Sequence, residues 1–201
     1  MSQRFSEYAR KERDDYPTPF WVTETVIPHL KALGATSIWD PAAGDGQIVA
    51  ALRQHGFDAV GTDILDGNNF LYGCIPPPTF DAIVSNPPYG KQGRMALQFI
   101  ERSLEYTRPA QGVVAMLLKV DFDSGKSRRH VFADCPAFAG KVVLIERIVW
   151  FEPAIAEPSD NHAWHVWSWR HRGPPTISYA PLKSERPKVV RVVRRKGVVA
   201  A

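Results

Sequence analysis

The segment Asn86-Pro87-Pro88-Tyr89 is the part of this sequence whose residue types point most directly to a chemistry. Two consecutive prolines hold the backbone rigid and extended, which fixes the Asn86 side chain relative to the Pro87 carbonyl. Both groups are hydrogen-bond acceptors, so together they can take the two N–H groups of a planar exocyclic amine. These two hydrogen bonds favour a tetrahedral nitrogen whose lone pair points at a methyl donor. The oxygen dipoles also stabilise the positive charge that develops on that nitrogen during methyl transfer. Because Tyr89 adds a flat face for stacking, we predict Asn86, Pro87, Pro88 and Tyr89 as catalytic residues. The structural alternative is a Pro-Pro turn with a capping asparagine.

A glycine-rich turn, Asp40 to Gly46 (DPAAGDG), lies earlier in the chain. Its glycines allow a sharp turn and a close approach of a ligand to the backbone. Asp63 ends the next predicted strand, where a carboxylate can accept hydrogen bonds from both hydroxyls of a ribose. A dinucleotide motif would need Gly or Ala where Val49 stands, and the Gly-Lys-Ser/Thr of a phosphate loop is absent. Asp40 would repel a pyrophosphate but suits an ammonium group, so the residues favour S-adenosylmethionine (SAM) over a dinucleotide. The structural alternative is an ordinary turn without a ligand.

The elements predicted around these segments place them at one edge of a sheet. Strands are predicted over 37–40, 59–62, 80–85 and 112–120, and helices over 19–33, 47–55 and 96–107, with Thr18 as the first N-cap and Pro28 kinking or splitting its helix. Two β-prone runs, 141–151 and 162–170, predict an antiparallel hairpin at a sheet edge. Strands alternating with helices and followed by a hairpin predict an α/β fold with a mostly parallel sheet.

Composition is that of a folded domain. Of 201 residues, 44% are apolar and 23% charged, which excludes a chain disordered throughout, a collagen-like chain or a disulfide scaffold. No apolar run approaches the roughly 20 residues that span a bilayer, and the N-terminus lacks the apolar segment of a signal peptide. The two cysteines fit a reducing compartment, so we expect a cytoplasmic protein without membrane contact. We predict a lead-in over 1–16, one domain over 17–180 and a basic tail over 181–201.

Basic residues predict contact with a polyanion. Between Lys183 and Lys196 there are seven basic residues and one acid, a net charge of +6, although the whole chain carries only +4. Loops near the predicted site carry the candidate phosphate-binding residues Lys91, Arg94, Lys126, Arg128 and Arg129. Solvated surface charge is the alternative for the loops, and a solvated terminus for the tail.

Two further clusters have simpler interpretations. Trp164, Trp167 and Trp169 are more consistent with core packing than with base stacking. His162, His165 and His171 lack a fourth ligand at suitable spacing, so no metal is predicted.

Taken together, residues 15 to 170 resemble the class I SAM-dependent methyltransferases, and more narrowly the group that methylates N6 of adenine in DNA. The resemblance implies a Rossmann-like, mostly parallel seven-stranded sheet with an antiparallel edge hairpin. It also implies that Asn86 and Pro87 bind the target amine and that Tyr89 stacks on a flipped base. Tyr16-Pro17-Thr18-Pro19 resembles the motif that closes over the methionine end of SAM, and Asn69-Phe70 stands where the group often has an acid-Phe pair against the adenine of SAM. The cofactor-binding residues expected on these grounds are Thr18, Pro19, Asp40, Ala42, Gly44, Gly46, Asp63, Ile64, Asn69 and Phe70.

Several functions share these motifs. Adenine N6 methyltransferases of RNA and glutamine N5 methyltransferases of proteins have the same tetrapeptide, so DNA is the first expectation and RNA the second. A SAM-sensing or nucleic-acid-binding subunit without catalysis is the non-enzymatic alternative. The chain has little room for a target-recognition domain, so we expect low sequence specificity, or a partner or second copy that supplies it.

Overall fold

The structure, a computed structural model, describes residues 16–74, 76–77, 79–150 and 160–186. The expected lead-in (apart from Tyr16), Phe151 and the loop after it, and the tail from residue 187 onward lie outside these residues. Three α-helices and seven β-strands are present in the described part of the chain. They are α1 Phe20–Ala32, β1 Ser37–Asp40, α2 Gln47–Gln54, β2 Asp58–Gly61, β3 Ala82–Ser85, α3 Arg94–Thr107, β4 Val113–Lys119, β5 Phe138–Val143, β6 His162–Ser168 and β7 Thr176–Tyr179.

The strands form one sheet in the order β2-β1-β3-β4-β6-β5-β7. The pairs β1/β2, β1/β3, β3/β4 and β5/β7 are parallel, and β6 runs antiparallel to both of its neighbours. The predicted α/β fold is confirmed, as is the antiparallel pairing of the two β-prone runs. The short strand β7 was not predicted, and it lies outside β5, so the antiparallel pair is one strand in from the edge.

Helices cover both faces of the sheet. On one face, α1 and α2 contribute Val26 and Leu52 to a core with the odd-numbered β4 residues Val113, Ala115 and Leu117. On the other face, α3 packs with Val114, Met116 and Leu118 of the same strand. This alternation explains the continuous apolar run of β4, because a central strand whose two faces are both covered by helices needs apolar side chains on each face. Trp164 and Trp167 are fully buried on opposite faces, which confirms core packing for these two tryptophans.

Two details of α1 correct the sequence-based expectations. Thr18 is not its N-cap; Pro19 occupies that position without a side-chain cap bond, because the helix begins one residue later than expected, at Phe20. Pro28 does not split the helix, which continues to Ala32.

Candidate functional site

A cleft of about 610 Å³ opens at the carboxyl ends of β1 and β3. The chain passes from β1 to β2 on one side and reaches β3 on the other, so the cleft lies where the strand order reverses, which is where ligands bind in open α/β sheets. Nine of the predicted catalytic and cofactor-binding residues line it: Thr18, Ala42, Gly44, Asp63, Ile64, Asn69, Phe70, Asn86 and Pro88. Pro19, Asp40, Gly46, Pro87 and Tyr89 are not among its lining residues.

The glycine-rich turn forms one wall of the cleft. Gly44 and Gly46 have positive φ angles of 51° and 81°, and Gly46 is the N-cap of α2. A Cβ at either position would meet no atom within 4 Å, so glycine is needed there for its backbone conformation and not for space. The turn is held against the end of β2 by a hydrogen bond from Gly44 N to Asp63 Oδ2 of 2.9 Å.

Gly61, at the end of β2, is needed for a different reason. A Cβ there would lie 2.7 Å from the Cβ of Ala43 and 3.0 Å from a Val49 methyl group. The missing side chain therefore lets the turn approach β2 closely enough for the bond between Gly44 and Asp63. No sequence motif pointed to Gly61, because its role depends on the pairing of β1 with β2.

Asp63 is half-buried at the cleft and has both oxygens engaged by backbone amides. Oδ2 accepts from Gly44 N, and Oδ1 accepts from Leu65 N at 3.0 Å, capping the 3-10 turn Ile64–Asp66. An ionised carboxylate has about four acceptor sites, so these two bonds leave capacity for the hydroxyls of a ligand.

Asp40 lies behind the cleft wall that Pro41 and Ala42 form. It is 1% exposed. Its Oδ1 accepts from Ser85 Oγ at 2.7 Å and from Ala42 N at 3.2 Å, whereas its buried Oδ2 has no hydrogen-bond partner among the described residues. Burial raises the pKa of this carboxyl to about 7, with Asp63 adding to the rise and the two hydrogen bonds opposing it. Sequence reasoning did not single out Ser85.

Asn86 follows β3 directly and faces the cleft. Its Nδ2 donates to the Tyr16 carbonyl at 3.2 Å. Because the amide nitrogen is engaged in this way, the side-chain orientation is fixed, and Oδ1 has no hydrogen-bond donor among the described residues. The next residue, Pro87, is buried.

Tyr89 packs towards the core beneath this segment. Its hydroxyl accepts from Lys119 N at 2.6 Å, and its ring lies edge-on to Phe122 with centroids 6.0 Å apart. Burial raises the pKa of the Tyr89 hydroxyl well above its usual range. The hydroxyl end of the side chain is thus held at the end of β4, while its backbone belongs to the Asn86–Tyr89 segment.

The Asn69-Phe70 pair takes up two different environments. Phe70 is 2% exposed and packs edge-on against Trp39, so it belongs mainly to the core even though it reaches the cleft. Asn69 Oδ1 accepts from the backbone amides of Leu71 and Tyr72, which closes a turn at the cleft.

The five basic candidates differ in their surroundings. Lys91, Arg94 and Lys126 are exposed and form no salt bridge with any described residue, whereas Arg129 pairs with Asp134. Arg128 is half-buried: it lies over the Phe122 ring at 3.7 Å and donates to the carbonyls of Phe122 and Gln92. Arg128 therefore connects the loop after Tyr89 with the segment after β4. Lys91 belongs to the first of these segments and Lys126 to the second.

Two features are absent from the described ranges, a metal cluster and a membrane-spanning helix. No three His, Cys, Asp or Glu side chains lie where they could share a metal ion. No helix there has the length and apolar character needed to span a bilayer.

Comparison with solved structures shows the fold. A proposed class I SAM-dependent methyltransferase from Listeria monocytogenes superimposes with a TM-score of 0.57 at 17% identity, over 81% of this chain and 64% of that one. The type I restriction-modification methyltransferase subunit from Streptococcus thermophilus gives 0.55 at 16% identity, over 78% and 45%. A proposed RNA methyltransferase from Pyrococcus horikoshii gives 0.51 at 14% identity, over 77% and 86%. The chain thus spans less than two thirds of the length of the first two.

These likenesses confirm the Rossmann-like methyltransferase fold. No protein-family model matches the chain, and no curated protein is significantly similar to it in sequence.

Proposed function

We propose that this protein transfers a methyl group from SAM to the exocyclic N6 amine of adenine in DNA. The observation that carries the proposal is the geometry of Asn86. Its amide nitrogen is tied to Tyr16, so its oxygen stands at the cleft as an acceptor beside the rigid Pro87-Pro88 backbone. An acceptor held in this way has no evident structural task, but it suits the recognition of an N–H group.

The fold is that of class I methyltransferases and implies SAM as cofactor. The residues present fit this molecule. The cleft is lined by two acids, Asp45 and Asp63, and by no Lys, Arg or His among the described residues, so it suits a ligand without phosphate. Asp63 would hold the ribose hydroxyls, while Ile64, 62% exposed at the cleft, would cover the purine. Asp40 lies behind the cleft wall and is not proposed to touch the ligand. When bound, SAM supplies an electrophilic methyl group on a sulfonium.

The chain's own residues then act on the target amine. Asn86 Oδ1 and the Pro87 carbonyl each accept one N–H, which turns the nitrogen lone pair away from the ring of the base. Positive charge grows on the nitrogen during transfer, and two fixed oxygen dipoles stabilise it without having to reorient. Tyr89, with its hydroxyl held by Lys119 N, is proposed to pack against the base and hold it in line.

The cations near this edge of the sheet support a nucleic acid as the substrate, and DNA is proposed over RNA because the Asp-Pro-Ala opening of the glycine-rich turn resembles that of the DNA group. Lys91 and Lys126 are exposed, lack salt bridges within the described residues and lie on segments that Arg128 joins. Lys91 follows β3, whose carboxyl end borders the cleft, and Lys126 follows the neighbouring strand β4. These residues, with Arg94 and Arg129, are therefore proposed to contact backbone phosphates. A duplex substrate would have to flip its base, at a cost of a few kcal/mol.

Target specificity is proposed to come from a partner subunit or a second copy. The S. thermophilus protein, which this chain resembles in fold, is the methyltransferase subunit of a type I restriction-modification system, and this supports a partner subunit here. The proposed domain limits are 17–180 for the methyltransferase domain and 181–201 for the basic tail.

Radiolabel transfer from SAM tests this function. DNA, RNA and protein pools are incubated with the wild type, with Asn86→Ala, and with Gln98→Ala as a control at an exposed amide on α3. We expect N6-methyladenine after digestion of DNA, and a loss of roughly 100-fold or more in turnover for Asn86→Ala only, with SAM binding nearly intact. Label in RNA or in glutamine would reassign the substrate. SAM binding without any transfer would favour the sensing subunit.

A further inference from the structure

Arg128 makes contacts that set it apart from the exposed basic residues near the site. Its Cζ lies 3.7 Å from the centroid of the Phe122 ring. Its Nη1 donates to the Phe122 carbonyl at 2.8 Å, and its Nη2 donates to the Gln92 carbonyl at 3.1 Å. Arginine suits this arrangement because its planar group stacks on a ring and directs its donors in a fixed fork. One face and two donors of the guanidinium are thus used to hold two segments of the protein together.

The loop that Arg128 holds follows Tyr89 and is closely packed. A Cβ on Gly93 would lie 2.9 Å from Phe122 Cε2 and 3.0 Å from Arg128 Nη2, so glycine is needed there for the close approach of the two side chains. Gln92 has a φ angle of 56°, a conformation that costs a non-glycine residue about 1–3 kcal/mol. The hydrogen bond from Arg128 to its carbonyl stabilises the loop in this costly conformation.

Phe122 connects Arg128 to the amine-binding segment itself. The Phe122 side chain is 3% exposed, and its ring lies edge-on to Tyr89 with centroids 6.0 Å apart. After the loop, the chain returns to the same segment, because Met95 N donates to the Tyr89 carbonyl at 3.1 Å. Arg128 therefore supports the Asn86–Tyr89 segment by two routes, through the Phe122 ring and through the loop.

We propose that Arg128 is a positioning residue for methyl transfer: together with Phe122 it fixes the Asn86–Tyr89 segment and so keeps the two acceptors of the target amine in place. This inference rests on the proposed function. Fixed acceptors stabilise a transition state because they do not have to reorient, so a loosened segment should slow transfer without weakening the binding of either substrate. Arg128 then differs in its task from Lys91 and Lys126, which are proposed to contact phosphates.

Two substitutions at Arg128 separate positioning from phosphate binding. Arg128→Lys keeps the positive charge but lacks the flat, forked guanidinium, and Arg128→Met removes the charge as well. For each variant we would measure kcat with SAM and random-sequence duplex DNA, the Kd for that DNA at several salt concentrations, and the Kd for S-adenosylhomocysteine. Arg172→Lys is the matched control. Arg172 Nη1 also donates to two backbone carbonyls, but it follows β6 at the opposite edge of the sheet.

Both Arg128 variants are expected to lower kcat by about tenfold. Both Kd values should stay within about twofold of the wild type, and the salt dependence of DNA binding should not change. Arg172→Lys should keep the wild-type kcat. Phe122→Leu removes the ring beneath the guanidinium, so it should lower kcat to a similar extent, and adding Arg128→Lys to it should have little further effect. Phe122→Leu carries the test if the Arg128 variants do not fold.

A wild-type kcat in Arg128→Lys would overturn the inference. Weaker DNA binding with a smaller salt dependence in Arg128→Met alone would then identify Arg128 as a phosphate ligand. A parallel loss of kcat and of S-adenosylhomocysteine affinity would also overturn it, because it would indicate a general structural role. A wild type that binds S-adenosylhomocysteine but methylates no DNA would instead overturn the proposed function, and with it the role of Arg128 in transfer.

Discussion

Replacing Asp40 with asparagine is expected to stabilise the fold. Burial raises the pKa of this carboxyl from 3.8 to about 7. An acid whose pKa is higher in the folded than in the unfolded state binds its proton more tightly when folded. Its stabilising contribution is therefore present below pH 3.8 and is lost as the pH rises through 7. A shift of about three units corresponds to about 4 kcal/mol at most.

Asparagine removes this charge but introduces a new cost. Its oxygen can still accept from Ser85 and Ala42, whereas its NH2 group takes the place of Oδ2, where no described residue offers a partner. An unpaired buried amide costs about 1–3 kcal/mol. The expected net gain in free energy of unfolding at pH 8 is thus about 1–3 kcal/mol.

Urea denaturation of the two proteins at pH 8 and pH 5 measures this gain. The advantage of Asp40→Asn should shrink by about 2–3 kcal/mol at pH 5, because the wild-type carboxyl is then protonated when folded. His162 and His165 titrate in the opposite sense over this range, but both proteins contain them, so the difference isolates Asp40.

A matched control comes from Asp81, whose carboxylate accepts from Thr36 N, Thr36 Oγ1 and Ser37 N. Asp81→Asn should destabilise the fold, since it removes a charge that is well satisfied. The reasoning is refuted if Asp40→Asn is less stable than the wild type at pH 8, or if their difference is the same at both pH values.

Three further predictions concern the site and the core. Asp63→Ala should weaken SAM binding by roughly 100-fold, since it removes the ribose acceptor and the bond to Gly44 N; calorimetry showing wild-type affinity would remove Asp63 from the site. Gly61→Ala should lower the free energy of unfolding by about 1–3 kcal/mol, because its Cβ would overlap Ala43; wild-type stability in urea would contradict the close approach. Burial lowers the pKa of His165 to about 4, so its contribution is present above pH 6.5 and is lost as the pH falls towards 4. His165→Phe should therefore lose about 3 kcal/mol less stability over that interval, and parallel pH profiles would exclude the effect.

Local patterns were sufficient to predict most of the strands and helices. The strand Ser37–Asp40 and the helix Gln47–Gln54 lie where the spacing of apolar residues and the flanking glycines predicted them. The strand Thr176–Tyr179 was missed because it has only four residues, is mostly exposed, and exists through its parallel pairing with β5. A strand of this kind is defined by a distant partner and leaves little local signal.

The candidate site also contains residues that local sequence patterns identify and residues whose roles depend on distant partners. Asn86 and Asp63 stand at strand ends in motifs with a recognisable chemistry, and sequence spacing found them. Ser85 is an ordinary small residue within an apolar strand, and its bond to Asp40 requires that β1 and β3 be neighbours. Arg128 has the charge expected of a phosphate ligand, but its contact with Phe122 depends on tertiary packing that charge alone does not indicate.

Costly backbone conformations support the placement of the site. Two non-glycine residues among those described have positive φ angles, Gln92 at 56° and Gln111 at 53°. Gln111 lies in the turn that follows α3, where its N–H bonds to Arg108 O and helix ends commonly adopt this conformation. Gln92 instead lies between Gly90 and Gly93, which also have positive φ angles, and its carbonyl accepts a hydrogen bond from Arg128. Backbone strain that the surroundings enforce in this way concentrates at functional sites. It occurs here three residues after Tyr89, at the same edge of the sheet as the unpaired oxygen of Asp40, so two independent costs to stability lie next to the proposed methyl-transfer site.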